Sequence, residues 1–266
     1  MLENPNYLAH YYAAAFQEPG VAAAYHHRGT YPRATFAILN ELIVDAPRAV
    51  LDVGCGADDV ARNMVELADR VDAVDFSQAM IEVGKTLLGG DHPNLRWIYS
   101  RAEDAPLQLP YALITGGQSL HWMDWNVVLP RFARSLTPNG YVAIVNMEGS
   151  PRPWGNEIGA LIKRYSTNQE YVPFDMLPAW EQHGLWTPVG SQRTAPEPFE
   201  QSVDDYIESF HGMSSLARER MGPERAAAFD AEVRDLVTPY ARDGKLVSEV
   251  SGSVEWGKPG YGDRAP

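Results

Sequence analysis

Two hydrophobic periods divide the chain. Between residues 49 and 148, five short apolar runs read as buried strands, and segments with apolar positions at helical spacing separate them. One strand is Val50-Leu51-Asp52-Val53, and the next is Val71-Asp72-Ala73-Val74. A helix over 59–68 would turn Val60, Met64, Val65 and Ala68 inward. Ser77 caps a second helix with Met80, Val83, Leu87 and Leu88 on its apolar positions, stopped by Gly89-Gly90. Asp124 caps a third, in which Pro130 predicts a kink or a late start. Residues 1–45 read as a helical lead-in with Phe36, Leu39, Leu42 and Ile43 on one face. The stretch 149–198 is rich in Pro and Trp, holds a helix around 154–165, and reads as an insertion before a sixth strand. Helices follow over 203–220 and from Pro223, then a last strand over 245–256 and a frayed tail at 257–266. Strands alternating with helices predict an α/β fold, a Rossmann-like parallel sheet covered on both faces, as one domain over 1–266.

The most informative segment is Asp52-Val53-Gly54-Cys55-Gly56, a strand running through a glycine turn into a helix. Such glycines admit a ligand to the backbone where a Cβ would clash, and a helix start offers free N–H groups. That is a nucleotide-type cofactor site at the edge of a parallel sheet. A dinucleotide fingerprint would need glycine at position 59, which is Asp59, and no phosphate-gripping Gly-x-x-x-x-Gly-Lys-Ser/Thr is present. Asp75 ends the second strand 19 residues after Gly56, where an acid grips a ribose diol. Hydrogen bonds to a charged group contribute roughly 1.5–3 kcal/mol each.

With these motifs in order, the chain resembles the class I S-adenosylmethionine-dependent methyltransferases, in the small-molecule branch that includes trans-aconitate and ubiquinone-pathway methyltransferases. Val50 to Gly56 resembles the first motif, and Val74-Asp75-Phe76-Ser77-Gln78-Ala79-Met80 the second. Ser100 to Pro106 resembles the segment that meets adenine, Leu113 to Trp122 the fourth-strand motif, and Leu136 to Tyr141 the turn before the fifth strand. Val21 to Pro32 resembles the family's lead-in. The resemblance implies a seven-stranded sheet whose last strand is antiparallel at the edge. It also implies S-adenosyl-L-methionine as cofactor. The implied cofactor residues are Gly54 and Gly56 at the methionine part, Asp75 at the ribose, Met80, Ala102 and Glu103 at the adenine, and Tyr25 and Arg28 over the methionine end. Asp52, Cys55, Phe76 and Gly117 complete that set. His121 is the candidate general base, since histidine accepts a proton near neutral pH. His26, His27 and Glu148 are alternatives. Asp58 departs from the family's third glycine and would cap a helix, pair with the cofactor's ammonium or repel its carboxylate, and Ala112 departs from the Asp usual there.

A formal charge of −13 without any Lys/Arg run disfavours a nucleic-acid substrate. No apolar run approaches the ~20 residues of a membrane span. Absence of a secretory pattern and a single cysteine suit the cytoplasm, and no metal is expected. The expected function is O-methylation of a small metabolite by direct in-line transfer, with the protein a monomer or homodimer. The tryptophans and prolines of 150–186 suggest an apolar or aromatic acceptor in a pocket built from 149–240. Three other readings stay open: an S-adenosylmethionine-binding enzyme of another reaction such as cyclisation, a non-catalytic binding protein with a degenerate site, and, more distantly, a nicotinamide-dependent dehydrogenase.

Overall fold

The computed structural model describes Leu2, Pro5, residues 10–57 and residues 59–262; Asp58 and the last four residues of the expected tail lie outside the described residues. Eight strands form one sheet: β1 (Ala49–Val53), β2 (Arg70–Asp75), β3 (Leu95–Tyr99), β4 (Tyr111–Gly117), β5 (Leu136–Gly149), β6 (Trp186–Arg193), β7 (Glu197–Ser202) and β8 (Lys245–Pro259). Their order is β3-β2-β1-β4-β5-β8-β6, with β7 also paired to β8. The first five run parallel. The expected α/β architecture is therefore present, with three differences. β8 is antiparallel but not an edge strand, since it lies between β5 and β6. β7 is an additional strand, lying end to end with β6 along the outer side of β8. β6 falls inside 149–198, so that stretch is not wholly an insertion ahead of it, and residues 257–259 of the expected tail belong to β8.

The helices are α1 (His10–Ala13), α2 (Pro19–Tyr25), α3 (Arg33–Glu41), α4 (Asp59–Met64), α5 (Gln78–Thr86), α6 (Trp125–Ser135), α7 (Gly155–Tyr165), α8 (Met176–Gln182), α9 (Val203–His211), α10 (Arg218–Met221) and α11 (Pro223–Val237). Ser77 caps α5 by accepting the Met80 N–H at 3.2 Å, and Asp124 caps α6 by accepting that of Asn126 at 3.0 Å. α6 runs on through Pro130. α4 is shorter than expected, and the helix expected over 203–220 is divided at Gly212–Ala217 into α9, a 3-10 turn and α10.

Alternate residues of each strand feed opposite faces of the sheet. Leu51, Val53, Ile114 and Ile144 pack with Trp125, Phe132, Trp180 and Trp186 on one face. Val50, Val71, Leu113 and Val145 pack with Leu39 and Met64 on the other. A third core joins α7, α9 and α11 through Trp154, Tyr206, Phe210 and Phe229. The large aromatic residues are mostly core, with at most a subset left to line a pocket. Trp125, Trp154, Trp180 and Trp186 are at most 4% exposed. Their rings make edge and stacked contacts with one another, with Tyr206 and with Phe174. Burial of an indole exceeds what an open pocket wall gains, which is why they turn inward.

α9 also packs on α2 and on the 3-10 turn His26–Arg28, which tie the third core to the lead-in. His27 Nδ1 lies 2.9 Å from Asp205 of α9. Beneath, buried His211 is bracketed by the Leu216 carbonyl at 2.8 Å and by Asp230 of α11 at 2.7 Å. Arg218 bridges Asp230 at 3.1 Å and Glu208 at 2.9 Å.

Candidate functional site

The site lies at the carboxyl ends of β1, β2 and β4. Gly54 and Gly56 adopt φ of +62° and +58°, the left-handed region that favours glycine. A Cβ on Gly54 would stand 2.5 Å from that of Ser119, and one on Gly56 would stand 3.6 Å from the Tyr25 ring. Ser119 is fixed in turn by donating to the Val53 carbonyl at 2.6 Å. The turn leaves the Gly56 N–H aimed at Asp75, whose Oδ2 accepts it at 2.7 Å, while Oδ1 accepts the Ser77 N–H at 2.7 Å. Asp75 is 5% exposed, and burial pushes its carboxyl up to about 6 against the pull of the backbone donors at Gly56, Ser77 and Phe76. A carboxylate has about four acceptor sites, so these backbone donors do not exhaust it.

A cleft with about 790 Å³ of space, part of it open to solvent, runs along this tip. Gly54, Gly56, Asp75, Phe76 and Met80 line it, together with Ala102, Glu103, Tyr25 and Gly117. The Glu103 carboxylate there already accepts the Asp124 N–H at 2.9 Å. The sequence reading did not anticipate Phe16, Gln118, Ser119 or Met123, which also line it. Phe16 and Trp122 meet edge to edge with ring centres 5.8 Å apart. Gln118 and Ser119 directly follow the end of β4, and that position was the available signal; nothing around Phe16 marked it.

Four expected residues sit elsewhere. Asp52 is buried beneath the turn, accepts the Thr115 hydroxyl at 2.7 Å, and is pushed by burial up to about 7. Cys55 turns its thiol into the core beside Val60 and Met64, while its N–H donates to the Val74 carbonyl. Neither lines the cleft. Arg28 lines a second cleft, which joins the first at Tyr25, Gly117 and Gln118. His121 lines neither, and burial followed by the charge of Arg28 pushes its imidazole down to about 4. Of the alternatives, Glu148 pairs with Arg193 and Ser253 away from both clefts, His27 faces Asp205, and His26 borders the second cleft.

Residues 50–140 match the family model described as a methyltransferase domain. The chain is 33% identical over 103 residues to a malonyl-[acyl-carrier protein] O-methyltransferase of Halalkalibacterium halodurans, covering 36% of this chain and 38% of that protein. It is 28% identical over 184 residues to the uncharacterized methyltransferase Rv3342 of Mycobacterium tuberculosis, covering 68% of this chain and 65% of the relative. The chain thus spans under two thirds of either relative's length. In fold it is similar to a SAM-dependent methyltransferase of Thiobacillus denitrificans solved with S-adenosyl-L-homocysteine, at 13% identity and a TM-score of 0.50, covering 90% and 97% of the two chains. Among the described residues, no helix of the chain is long and apolar enough to cross a membrane.

Proposed function

We propose that the protein transfers a methyl group from S-adenosyl-L-methionine to the oxygen of a small molecule. The observation that carries this is the buried Asp75 carboxylate in the first cleft, held by the Gly56 N–H at the tip of the glycine turn. The residues suit the cofactor. Asp75 has acceptor capacity left for the ribose, Gly54 and Gly56 leave backbone where a tail would lie, and Ala102, Glu103 and Met80 line the same cleft, where adenine would lie. When bound, the cofactor supplies an electrophilic methyl carbon.

The protein's own contribution is then positioning. Tyr25, Gly117 and Gln118 border both clefts, so a donor in the first and an acceptor in the second meet there. Holding two reactants in line supplies a large share of the barrier reduction, on the order of 7–11 kcal/mol at best. No step needs a covalent intermediate on the chain.

The test is incubation with methyl-labelled S-adenosylmethionine and a small-metabolite extract. The expected result is a labelled small-molecule product with an equal amount of S-adenosylhomocysteine. Binding without S-adenosylhomocysteine formation would favour a non-transfer role.

A further inference from the structure

The second cleft holds about 840 Å³ of space, part of it open to solvent. Its charged groups are unevenly matched. Arg62 there pairs with Asp59 at 3.5 Å and donates to the Leu88 carbonyl at 2.6 Å. The Asp59 carboxylate is itself occupied by the Tyr31 N–H at 2.8 Å and the Asn63 amide at 3.0 Å. Arg28 is different. Among the described residues it forms no ion pair with a carboxylate, and its one printed hydrogen bond is a long one, 3.4 Å, to Oε1 of Gln118. Its guanidinium lies 5.0 Å from the centre of the Tyr25 ring, and its stem lies against the Gly212 backbone. The half-buried cation thus lies in the second cleft, beside Tyr25 and Gln118, which border both clefts. Its field reaches the tip of β4, where it helps hold His121 uncharged.

We propose that the second cleft takes an anionic acceptor, a small-molecule carboxylate methylated on oxygen, with Arg28 as its counter-ion. This rests on the methyltransferase reading above. Arg is suited to carboxylate recognition through its planar fork of donors. The chain's charge of −13 opposes an anion only at long range. With screening over about 8 Å in physiological salt, a cation in contact outweighs it.

The chemistry also fits the groups at hand. A carboxylate is already ionised at neutral pH, so no proton has to be removed. One carboxylate oxygen stays on Arg28 and the other attacks. Its lone pair forms the new O–C bond to the methyl carbon as the C–S bond breaks, and that pair returns to sulfur. The sulfonium becomes a neutral thioether and the carboxylate a neutral methyl ester, so charge balances. The ester no longer pairs with Arg28, which favours its release.

The test uses the full chain and Arg28→Gln, with calorimetric titration of S-adenosylhomocysteine and 5′-methylthioadenosine, which lacks the amino-acid part. In parallel, a panel of carboxylic acids (succinate, benzoate, octanoate) and their matched alcohols is incubated with S-adenosylmethionine, and methyl esters are detected by mass spectrometry. The expected result is that at least one acid is esterified. Arg28→Gln should raise the KM for that acid tenfold or more, with both cofactor analogues bound within threefold of the parent. If Arg28→Gln loses S-adenosylhomocysteine but keeps 5′-methylthioadenosine, the guanidinium serves the cofactor's own carboxylate and the proposal falls. Turnover of alcohols with no ester from any acid also overturns it. Neither result touches the methyltransferase reading, which fails separately if the parent chain binds neither analogue.

Discussion

Asp75 and Gly56 stand 19 residues apart in the chain, yet the carboxylate of one accepts the N–H of the other at 2.7 Å. The bond ties the tip of β2 to the turn after β1 and presents one buried anion to the first cleft. In the function proposed above, a cofactor diol would donate to the ionised form of this group. Because burial holds its pKa up at about 6, above the ordinary 3.8, the ionised fraction grows as pH rises through that range. S-adenosylmethionine affinity should therefore strengthen from pH 5 to pH 7 and level off above. Calorimetry at several pH values checks this, and affinity independent of pH would count against Asp75 as the ribose ligand.

Asp52 gives a related effect on stability. Its folded pKa is raised to about 7, so the native state keeps a proton that the unfolded chain has released. The sign is that stability from this group is greatest below about pH 4 and falls as pH rises toward 7. The cost at pH 8 is on the order of 4 kcal/mol at most. Asp52→Asn should flatten the fall, so its Tm relative to the parent should improve between pH 5 and pH 8. An unchanged difference across that range would contradict the assignment.

Gly54→Ala should be severe. The new Cβ would meet Ser119 at 2.5 Å in a φ of +62°, and Ser119 is held by its bond to Val53. Strain and overpacking together cost about 2–4 kcal/mol. Urea denaturation would measure the loss. Gly155→Ala, where nothing lies within 4 Å of the added carbon, is the control expected to be neutral or slightly stabilising.

His211→Ala tests the link between the third core and the lead-in. It removes the group between Leu216 and Asp230, one of the polar links between α9 and α11 beside those of Arg218 and of Arg234 with Asp204. A loss of about 2–4 kcal/mol is expected, since buried polar partners are left unmatched. Cofactor affinity should weaken as well, because α9 supports α2 and Tyr25. A destabilised variant with parental affinity would separate the two.

Much of the first cleft's lining was legible in the chain. Gly54, Gly56 and Asp75 are local signals, since a glycine turn and a strand-end acid have a fixed relation in a βαβ unit. The helix cap at Ser77 was equally local. What could not be read depends on which face a residue takes. Asp52 and Cys55 share the motif but turn inward, and the tryptophans of 154–186 fill cores because composition does not say what they face. The place of β8 between β5 and β6 is a long-range pairing with no local mark. Arg28 sits in the second cleft only because α9 and the lead-in pack together.

The central claim is that the first cleft binds S-adenosylmethionine through Asp75. Calorimetric titration of S-adenosylmethionine into the ligand-free protein and into Asp75→Asn tests it most directly. Micromolar binding by the parent and a loss of about 100-fold in the variant, near two charged hydrogen bonds at roughly 1.5 kcal/mol each, is the result predicted. A folded parent that binds no S-adenosylmethionine, or a variant that binds it as tightly as the parent, would contradict it.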